Sequence, residues 1–354
     1  MSVPLPAEIA TALRRRVVGQ EEAVREVSIA LAKKLAGLMA GNVLLIGSSG
    51  SGKTTLMRAV EDYVGSVPAL SGSSTLVRVH ANVLAQHAVR GEAGENLLQR
   101  LLRRAREQLG ESATTEELLA RCAQAIVFVD EVDKIRASVG GQPNIIGIQA
   151  QEALLTLIEN EAVPLRLPDW LGGGVVTLDA RQILFVCAGA FEGLYDAVYD
   201  RVTVGRDRGA LQAVSVVEDG AVRQEIRFVL RDWVRNEDLF EYGMTPQFLS
   251  RFDAVVLLND LGEDELVSIF LETPDSGLHE ARAYFGAQGV KLAVSPAAVR
   301  RIAAEAAAQT RLGARALKEV FRRVIRDYEF DPLAAATEGT LMIDLPEVEA
   351  ALQS

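Results

Sequence analysis

Eight residues, from Gly47 to Thr54, have the types and spacing of a loop that binds nucleotide phosphates. They fit the pattern GxxxxGK[ST], and the motif follows a strand-like apolar run and precedes a helical pattern. In such a loop, glycines let backbone N–H groups close around phosphate oxygens, and the N-terminus of the next helix adds partial positive charge. We expect Lys53 to reach the β and γ phosphates and the Thr54 hydroxyl to bind Mg²⁺. The alternative, a Gly/Ser surface turn, does not account for this context. The residues predicted to contact the nucleotide here are Gly47, Ser48, Ser49, Gly50, Ser51, Gly52, Lys53, Thr54 and Thr55.

A pair of acids, Asp130 and Glu131, directly follows the apolar run Ile126–Val129, which is the Walker B pattern. At the end of a buried strand, Asp130 is expected to hold magnesium, usually through water, and Glu131 to polarise the water that attacks the γ phosphate. Many strands simply end in an acidic turn, so the pair gains its meaning from the phosphate loop. Together the two motifs predict an ATPase with ATP or ADP and Mg²⁺ as cofactors.

The elements that must position these motifs alternate between helical patterns and short apolar runs. Helical segments between buried strands imply right-handed crossovers and a mainly parallel sheet that is covered on both faces. The sequence therefore predicts an α/β P-loop fold with a parallel five-stranded sheet. The five strand signals are Val43–Ile46, Leu76–Val79, Ile126–Val129, Ile183–Val186 and Ala254–Leu258.

After Leu258 the pattern changes to that of a small, mostly helical domain. We therefore expect two domains, residues 1–258 and residues 259–354. Ser295 followed by Pro296 is typical of a helix start. Residues 200–238 show no clear period, and we expect insertions or mobile loops there. The predicted helices of the second domain are Glu263–Leu271, Gly277–Tyr284, Ser295–Ala308 and Ala314–Tyr328, with one β-like stretch near Val290–Val294.

Composition excludes several classes of protein. The chain has 354 residues and a net charge of −11, and a chain so acidic has no broad basic face for nucleic acid. Two cysteines, Cys122 and Cys187, cannot build a disulfide framework, and the three histidines lack the spacing of metal ligands. The N-terminus has no secretory pattern, and we expect a cytoplasmic protein without membrane or nucleic-acid partners. Only six of the 37 basic residues are lysine, which makes Lys53 in the loop more informative.

Beyond the two motifs, further segments occur in a familiar order along nearly the whole chain. They are 17–22, 128–134, 151–159, 183–191, 245–251 and 313–315. With the phosphate loop, this series resembles the ClpX family of AAA+ protein-unfolding ATPases. The resemblance implies a large α/β domain, a small helical lid, nucleotide bound between them, a homo-hexameric ring and a protein substrate.

The same resemblance implies roles for four residues outside the two motifs. Val17 and Val18 would line the adenine pocket. Arg251 would be the arginine finger that reaches a neighbour's γ phosphate, and Arg315 would be the sensor arginine of the lid. Each arginine has a simpler alternative, since Arg251 could be paired at the surface at a helix end and Arg315 could cap a carboxylate at a helix start.

Three departures from the family pattern affect the predicted partners. The aromatic pore loop is replaced by Val89 and Arg90, which should weaken the grip on a translocating chain or change its selectivity. The sequence contains no Gly-Phe dipeptide for docking a peptidase, so coupling to ClpP is not expected. No cysteine precedes Cys122, so the amino-terminal zinc-binding domain is not expected either. Trp170 lies beside three glycines and is either a packing anchor or part of a recognition loop.

Two functions from different classes remain open at this point. The first is an ATP-hydrolysing protein-remodelling or unfolding chaperone that works without ClpP. The second is a nucleotide-gated scaffold that assembles a ring or filament on binding ATP and unfolds little. A DNA-acting AAA+ factor is disfavoured by the charge balance.

Overall fold

The computed structural model describes residues 3–67, 74–88, 93–159, 162–204, 213–218, 221–226, 228–309 and 312–353. The chain forms two compact units. The first unit comprises Met1–Leu38, Leu45–Ser73 and Leu258–Ser354, and the second comprises Met39–Leu44 and Ser74–Leu257. The chain passes from one unit to the other after Leu257, beside the predicted boundary, but the first unit also includes the phosphate loop. The division into domains 1–258 and 259–354 therefore stays a prediction.

The described residues form strands and helices along the whole chain, and the main-sheet strands are separated by helices. The strands are β1 (Asn42–Ile46), β2 (Leu76–His80), β3 (Ile126–Asp130), β4 (Ser138–Val139), β5 (Gln142–Pro143), β6 (Ala162–Arg166), β7 (Val175–Asp179), β8 (Leu184–Gly189), β9 (Ala213–Glu218), β10 (Ala221–Ile226), β11 (Phe252–Leu257), β12 (Lys291–Val294) and β13 (Thr340–Ile343). The helices are α1 (Pro6–Leu13), α2 (Glu21–Leu35), α3 (Lys53–Ser66), α4 (Ala81–Ala88), α5 (Ala93–Leu109), α6 (Thr115–Ala123), α7 (Ile145–Glu159), α8 (Leu194–Thr203), α9 (Leu230–Trp233), α10 (Asn236–Tyr242), α11 (Pro246–Leu249), α12 (Glu263–Glu272), α13 (Gly277–Ala287), α14 (Pro296–Ala308), α15 (Ala314–Phe330), α16 (Pro332–Ala335) and α17 (Leu345–Gln353).

The main sheet has five strands in the order β11-β1-β8-β3-β2. Strand β3 pairs in parallel with β2 and with β8, and its register places Val129 beside Val79 on one side and Cys187 on the other. Every residue of β3 is buried, as expected for a strand covered on both faces. The five strands coincide with the five predicted apolar runs, so the predicted α/β fold with a parallel five-stranded sheet is confirmed.

The second unit also contains hairpins that the sequence analysis did not predict. Strands β6 and β7 pair antiparallel, and so do β9 and β10. The expectation of mobile loops for residues 200–238 is therefore wrong for the strands 213–218 and 221–226 and for the helical residues 200–203, 230–233 and 236–238, whereas an insertion stays a prediction. The sequence between these strands is Asp219-Gly220, a dipeptide that favours two-residue hairpin turns. The missed signal was this turn chemistry rather than a hydrophobic period.

The C-terminal part of the first unit is mostly helical, as predicted. Side-chain caps define two helix starts, because the Ser276 and Ser295 hydroxyls accept hydrogen bonds from His279 and Ala298 N–H groups. Strand β12 pairs in parallel with β13, which the sequence analysis did not identify. The buried core beneath these helices includes the rings of Phe270 and Phe321, whose centroids are 4.8 Å apart in an edge-to-face arrangement.

We expect Phe270→Ala to destabilise this core strongly, because a 1% exposed ring is replaced by a cavity. The expected loss is about 3–5 kcal/mol in the free energy of unfolding, measured by guanidinium chloride denaturation with circular dichroism. Phe330→Ala is the matched control, since Phe330 lies in the same unit and is 93% exposed. Its cost should stay within about 0.5 kcal/mol. Similar losses for the two variants would contradict the described packing.

Candidate nucleotide-binding and hydrolysis site

The phosphate loop in the first unit connects the end of β1 at Ile46 to the start of α3 at Lys53. Two of its glycines have left-handed backbone angles that other residues rarely adopt, with φ of +77° at Gly50 and +102° at Gly52. Gly52 is the N-cap of α3, so the helix N-terminus faces the loop. Thr54 and Thr55 lie part-buried in the first turn of this helix. The local fold is thus the one that a phosphate loop requires.

The Lys53 ammonium is folded onto the backbone of its own loop. Its Nζ donates to the carbonyl of Gly47 at 2.5 Å and to that of Ser48 at 2.7 Å, and lies 3.5 Å from the Ser51 hydroxyl. Carbonyl oxygens are neutral acceptors, and a phosphate oxygen offers the same ammonium a full negative charge. The loop therefore carries a cation where a triphosphate would need one.

A side-chain network fixes the loop to neighbouring segments of the first unit. The Gln20 side chain, 2% exposed, donates from Nε2 to the carbonyls of Ser51 and Asn259, and its Oε1 accepts from the Asn259 N–H. The Ser48 hydroxyl donates to Asp260 at 2.8 Å. The sequence analysis placed Gln20 inside a family motif but gave it no role, and it did not identify Asp260. The position of Gln20 three residues after Val17 in that motif was the available signal.

The two residues predicted at the adenine pocket precede this network in the same unit. Val17 is 4% exposed and Val18 is part-buried, so both offer apolar surface rather than charge. This environment suits a flat aromatic base. Their role in adenine binding stays a prediction.

The start of α15, which carries Arg315, lies directly against the phosphate loop. The Ala314 N–H donates to the Gly50 carbonyl at 3.2 Å, and a Cβ on Gly50 would lie 2.0 Å from the Leu312 carbonyl oxygen. Glycine is thus required at position 50 for close approach as well as for its backbone angle. The Arg315 side chain is exposed and makes no ion pair within the described part of the chain, so the alternative carboxylate cap is not observed. Its role as a sensor stays a prediction.

In the second unit, Asp130 ends strand β3 with its side chain 11% exposed. The carboxylate is held on both sides, because Oδ2 accepts from Arg78 Nη2 at 2.5 Å and Oδ1 accepts from the Glu131 N–H at 3.0 Å. Arg78 lies on the neighbouring strand β2, where the register pairs it with Phe128. The sequence analysis did not identify Arg78. A charged residue inside a strand signal was the only indication available.

Glu131 follows with a left-handed backbone, at φ +59°. Its side chain is 48% exposed, and its Oε2 lies 3.8 Å from Nδ1 of His80 at the end of β2. The left-handed region costs a residue other than glycine free energy and often marks functional positions. A carboxylate that is this exposed to water meets the geometric requirement for a general base.

Arg251, the predicted arginine finger, forms an ion pair with Glu159 in the second unit, with both side chains partly exposed. This is the simpler alternative considered for Arg251 from sequence. The same two segments of the family pattern, 151–159 and 245–251, also meet where the buried Gln151 amide accepts from the Thr245 N–H, and that amide donates to the Gly243 carbonyl as well. Whether Arg251 also acts as a finger stays a prediction.

The remaining residues singled out from the sequence are the pore-loop pair, one buried cysteine and one tryptophan. Val89 and Arg90, the predicted pore loop, lie outside the described residues. Cys187 is fully buried on β8, and burial raises the pKa of its thiol, as expected for a core residue. Trp170 is 39% exposed, and the Arg106 guanidinium lies 4.2 Å from its ring centroid, so it is not an interior anchor.

The described residues contain no group of three or more His, Cys, Asp or Glu side chains that could hold a metal. Asp130 nevertheless suits magnesium, because its carboxylate offers oxygen ligands at the end of β3 and Mg²⁺ is usually held by one or two protein oxygens with phosphates and waters. Within the described ranges, no helix combines the length and apolar character needed to cross a membrane.

Comparison with known proteins identifies the family that the chain resembles. The family described as "AAA domain (Cdc48 subfamily)" matches residues 38–255. The "ATP-dependent Clp protease ATP-binding subunit ClpX 3" of Methylococcus capsulatus is 31% identical, covering 98% of this chain and 81% of that protein. ClpX proteins of Bacteroides thetaiotaomicron and Porphyromonas gingivalis are each 28% identical, covering 97% and 99% of this chain and 81% and 83% of their own lengths.

We expect Gly50→Ala to weaken nucleotide binding, because the methyl group would meet the Leu312 carbonyl and the backbone would be strained at φ +77°. A strain of about 1–3 kcal/mol, if it falls on the bound form, corresponds to a loss of about five- to 150-fold in affinity for a fluorescent ATP analogue. Gly65→Ala, in α3 with nothing within 4 Å of the added methyl, is the matched control and should bind as the parent does. Equal binding by the Gly50 variant would contradict the described loop.

Proposed function

This chain belongs to the ClpX-type AAA+ ATPases, and from that premise we propose that it uses Mg²⁺-ATP hydrolysis to remodel or unfold a protein substrate as a homo-hexameric ring. The observation that carries the proposal is the hydrolysis set. It consists of a phosphate loop with Lys53, the carboxylate of Asp130 at the end of β3, and the exposed carboxylate of Glu131, the next residue.

Each member of the set has a proposed task. Lys53 exchanges its carbonyl partners for the β and γ phosphates, and the Gly50 and Gly52 region supplies backbone N–H groups. Thr54 and Asp130 hold magnesium, which when bound neutralises charge on the phosphates. Glu131 accepts a proton from the attacking water. These assignments rest on the family pattern and on the local geometry of each residue.

We further propose that Arg251 acts on the nucleotide of a neighbouring subunit. Within one chain its guanidinium is paired with Glu159, and both side chains are partly exposed. A half-exposed pair contributes only about 0–1 kcal/mol, so exchanging Glu159 for a phosphate costs little. Arg315, exposed at the start of α15 against the phosphate loop, is proposed to sense the same phosphates and move the lid.

Independence from ClpP is a finer proposal and rests on sequence alone. The relatives are named as ATP-binding subunits of a Clp protease, whereas this chain has no Gly-Phe dipeptide to dock a peptidase. Of the stretch 201–224 where that contact is expected, residues 205–212 and 219–220 lie outside the described residues.

A second candidate is the nucleotide-gated scaffold. It is favoured by one observation, the replacement of an aromatic pore residue by Val89, which offers less apolar contact to a moving chain. A scaffold would bind ATP through the same loop and assemble, yet leave its partner folded. Assembly and substrate remodelling therefore have to be measured separately.

Glu131→Gln is expected to lower ATP turnover by about 10²–10⁴-fold while keeping ATP binding, since it removes a general base and keeps the shape of the side chain. Glu152→Gln, an exposed position on α7, is the matched control and should turn over ATP as the parent does. Turnover is measured by phosphate release, and oligomer size by light scattering with ATP, with ADP and without nucleotide. A protein captured by the ATP-bound variant in cells identifies a substrate.

An unchanged turnover in the Glu131 variant would contradict the ATPase assignment of this residue. Full assembly under ATP together with an empty trap and no unfolding of any captured partner would favour the scaffold.

Mixing two inactive variants tests whether Arg251 acts between subunits. Arg251→Ala and Glu131→Gln should each be nearly inactive alone, but a mixed ring contains sites with an intact glutamate beside a neighbour with an intact arginine. We expect turnover to recover partly on mixing. The double variant mixed with Arg251→Ala supplies no arginine and should recover nothing. Absence of recovery in the first mixture, with mixed rings demonstrated, would overturn action in trans.

A further inference from the structure

Arg78, on strand β2, is the ion-pair partner of Asp130 and has so far been given no role. Arg78 Nη2 lies 2.5 Å from Asp130 Oδ2, and the two side chains are 30% and 11% exposed. In a parallel pair, residues of the same face meet across strands, and Arg78 reaches past its register partner Phe128 to the acid two residues further on.

This pair differs from the surface pairs of the chain. A carboxylate removed from water in this way depends on its cation, since solvent screens the charge poorly and cannot replace the bond. Asp130 has one other hydrogen bond, from the Glu131 N–H. By contrast, Arg181 and Asp179 form a pair in the same unit at 2.6 Å with side chains 54% and 51% exposed, where water can substitute.

We propose that Arg78 is a positioning residue that holds Asp130 in place without metal and competes with magnesium for its carboxylate. The proposal rests on the proposed function, because it takes Asp130 as a magnesium ligand. A hard divalent cation prefers carboxylate oxygen, but here it must displace or share an existing charge-assisted bond before it can bind. The arginine therefore raises the magnesium concentration that the site requires.

The expected consequence is a shift in magnesium dependence in a defined direction. Replacing Arg78 by methionine keeps much of the side-chain volume and removes the competing charge. We expect the magnesium concentration for half-maximal binding of a fluorescent ATP analogue to fall about three- to tenfold. Arg78→Lys keeps a charge without the planar fork and should lie between the parent and the methionine variant.

The experiment uses the full chain in the Glu131→Gln background, so that the nucleotide is bound and not consumed. Magnesium is titrated at fixed analogue concentration, and melting temperature is recorded with and without magnesium. Arg78→Met should melt lower than its parent without magnesium, because Asp130 loses its cation, and should gain more on adding the metal. Arg181→Met is the matched control and should change neither the midpoint nor the gain.

Asp130→Asn separates this proposal from the function on which it rests. If Asp130→Asn leaves the magnesium midpoint unchanged, Asp130 is not a magnesium ligand, and both the assignment and the role of Arg78 fail. If Asp130→Asn raises the midpoint while Arg78→Met leaves it unchanged or raises it, only the role of Arg78 is overturned. Should the methionine variant not fold, Arg78→Gln is measured against the same expectation of a lower midpoint.

Discussion

The buried amide of Gln20 is the constraint on which the described phosphate loop depends. One side chain satisfies the Ser51 carbonyl within the loop and both backbone groups of Asn259, and it is almost inaccessible to water. A buried backbone group left without a partner costs about 1–3 kcal/mol, so these bonds fix the loop and the segment after β11 together. With that segment fixed, Asp260 can accept from Ser48, and the backbone at Gly50 can lie against the start of α15. The loop is thus pre-organised by bonds that do not involve Lys53, whose ammonium bonds only neutral carbonyl oxygens in the contacts described above.

Much of the fold is encoded locally and could be predicted. The first four residues of strand β3, Ile126–Val129, are large and apolar, the composition typical of a strand buried on both faces. The phosphate loop motif is equally local, since its glycines, lysine and threonine lie within eight consecutive residues. Two helices of the C-terminal part, α13 and α14, begin at serines that cap them, a signal contained in four residues.

The parts that could not be predicted depend on partners distant in sequence. Arg78 and Asp130 are 52 positions apart, and Gln20 and Asn259 are 239 apart, so no spacing rule connects them. Strand β13 is short and acquires its partner only when the chain returns to β12. The hairpin of β9 and β10 is different, because the sequence contains a turn-favouring dipeptide, Asp219-Gly220, between the two strands. The charged residues around this dipeptide made the alternation of apolar and polar residues difficult to recognise. Patterns in a single sequence identify functional residues that belong to local motifs, and they miss the residues distant in sequence that position them through hydrogen bonds and ion pairs.

Three of the proposed functional groups have one property in common, which is that each already has a partner within its own chain. Lys53 bonds loop carbonyls, Asp130 bonds Arg78, and Arg251 bonds Glu159. Nucleotide binding is then an exchange of partners, and its free energy is reduced by what each exchange gives up. Breaking the half-exposed Arg251 pair costs little free energy, whereas breaking the more buried Asp130 pair costs more. On the proposed function, the more buried pair makes the metal at Asp130, rather than the contact of Arg251 with a neighbouring nucleotide, the more demanding requirement.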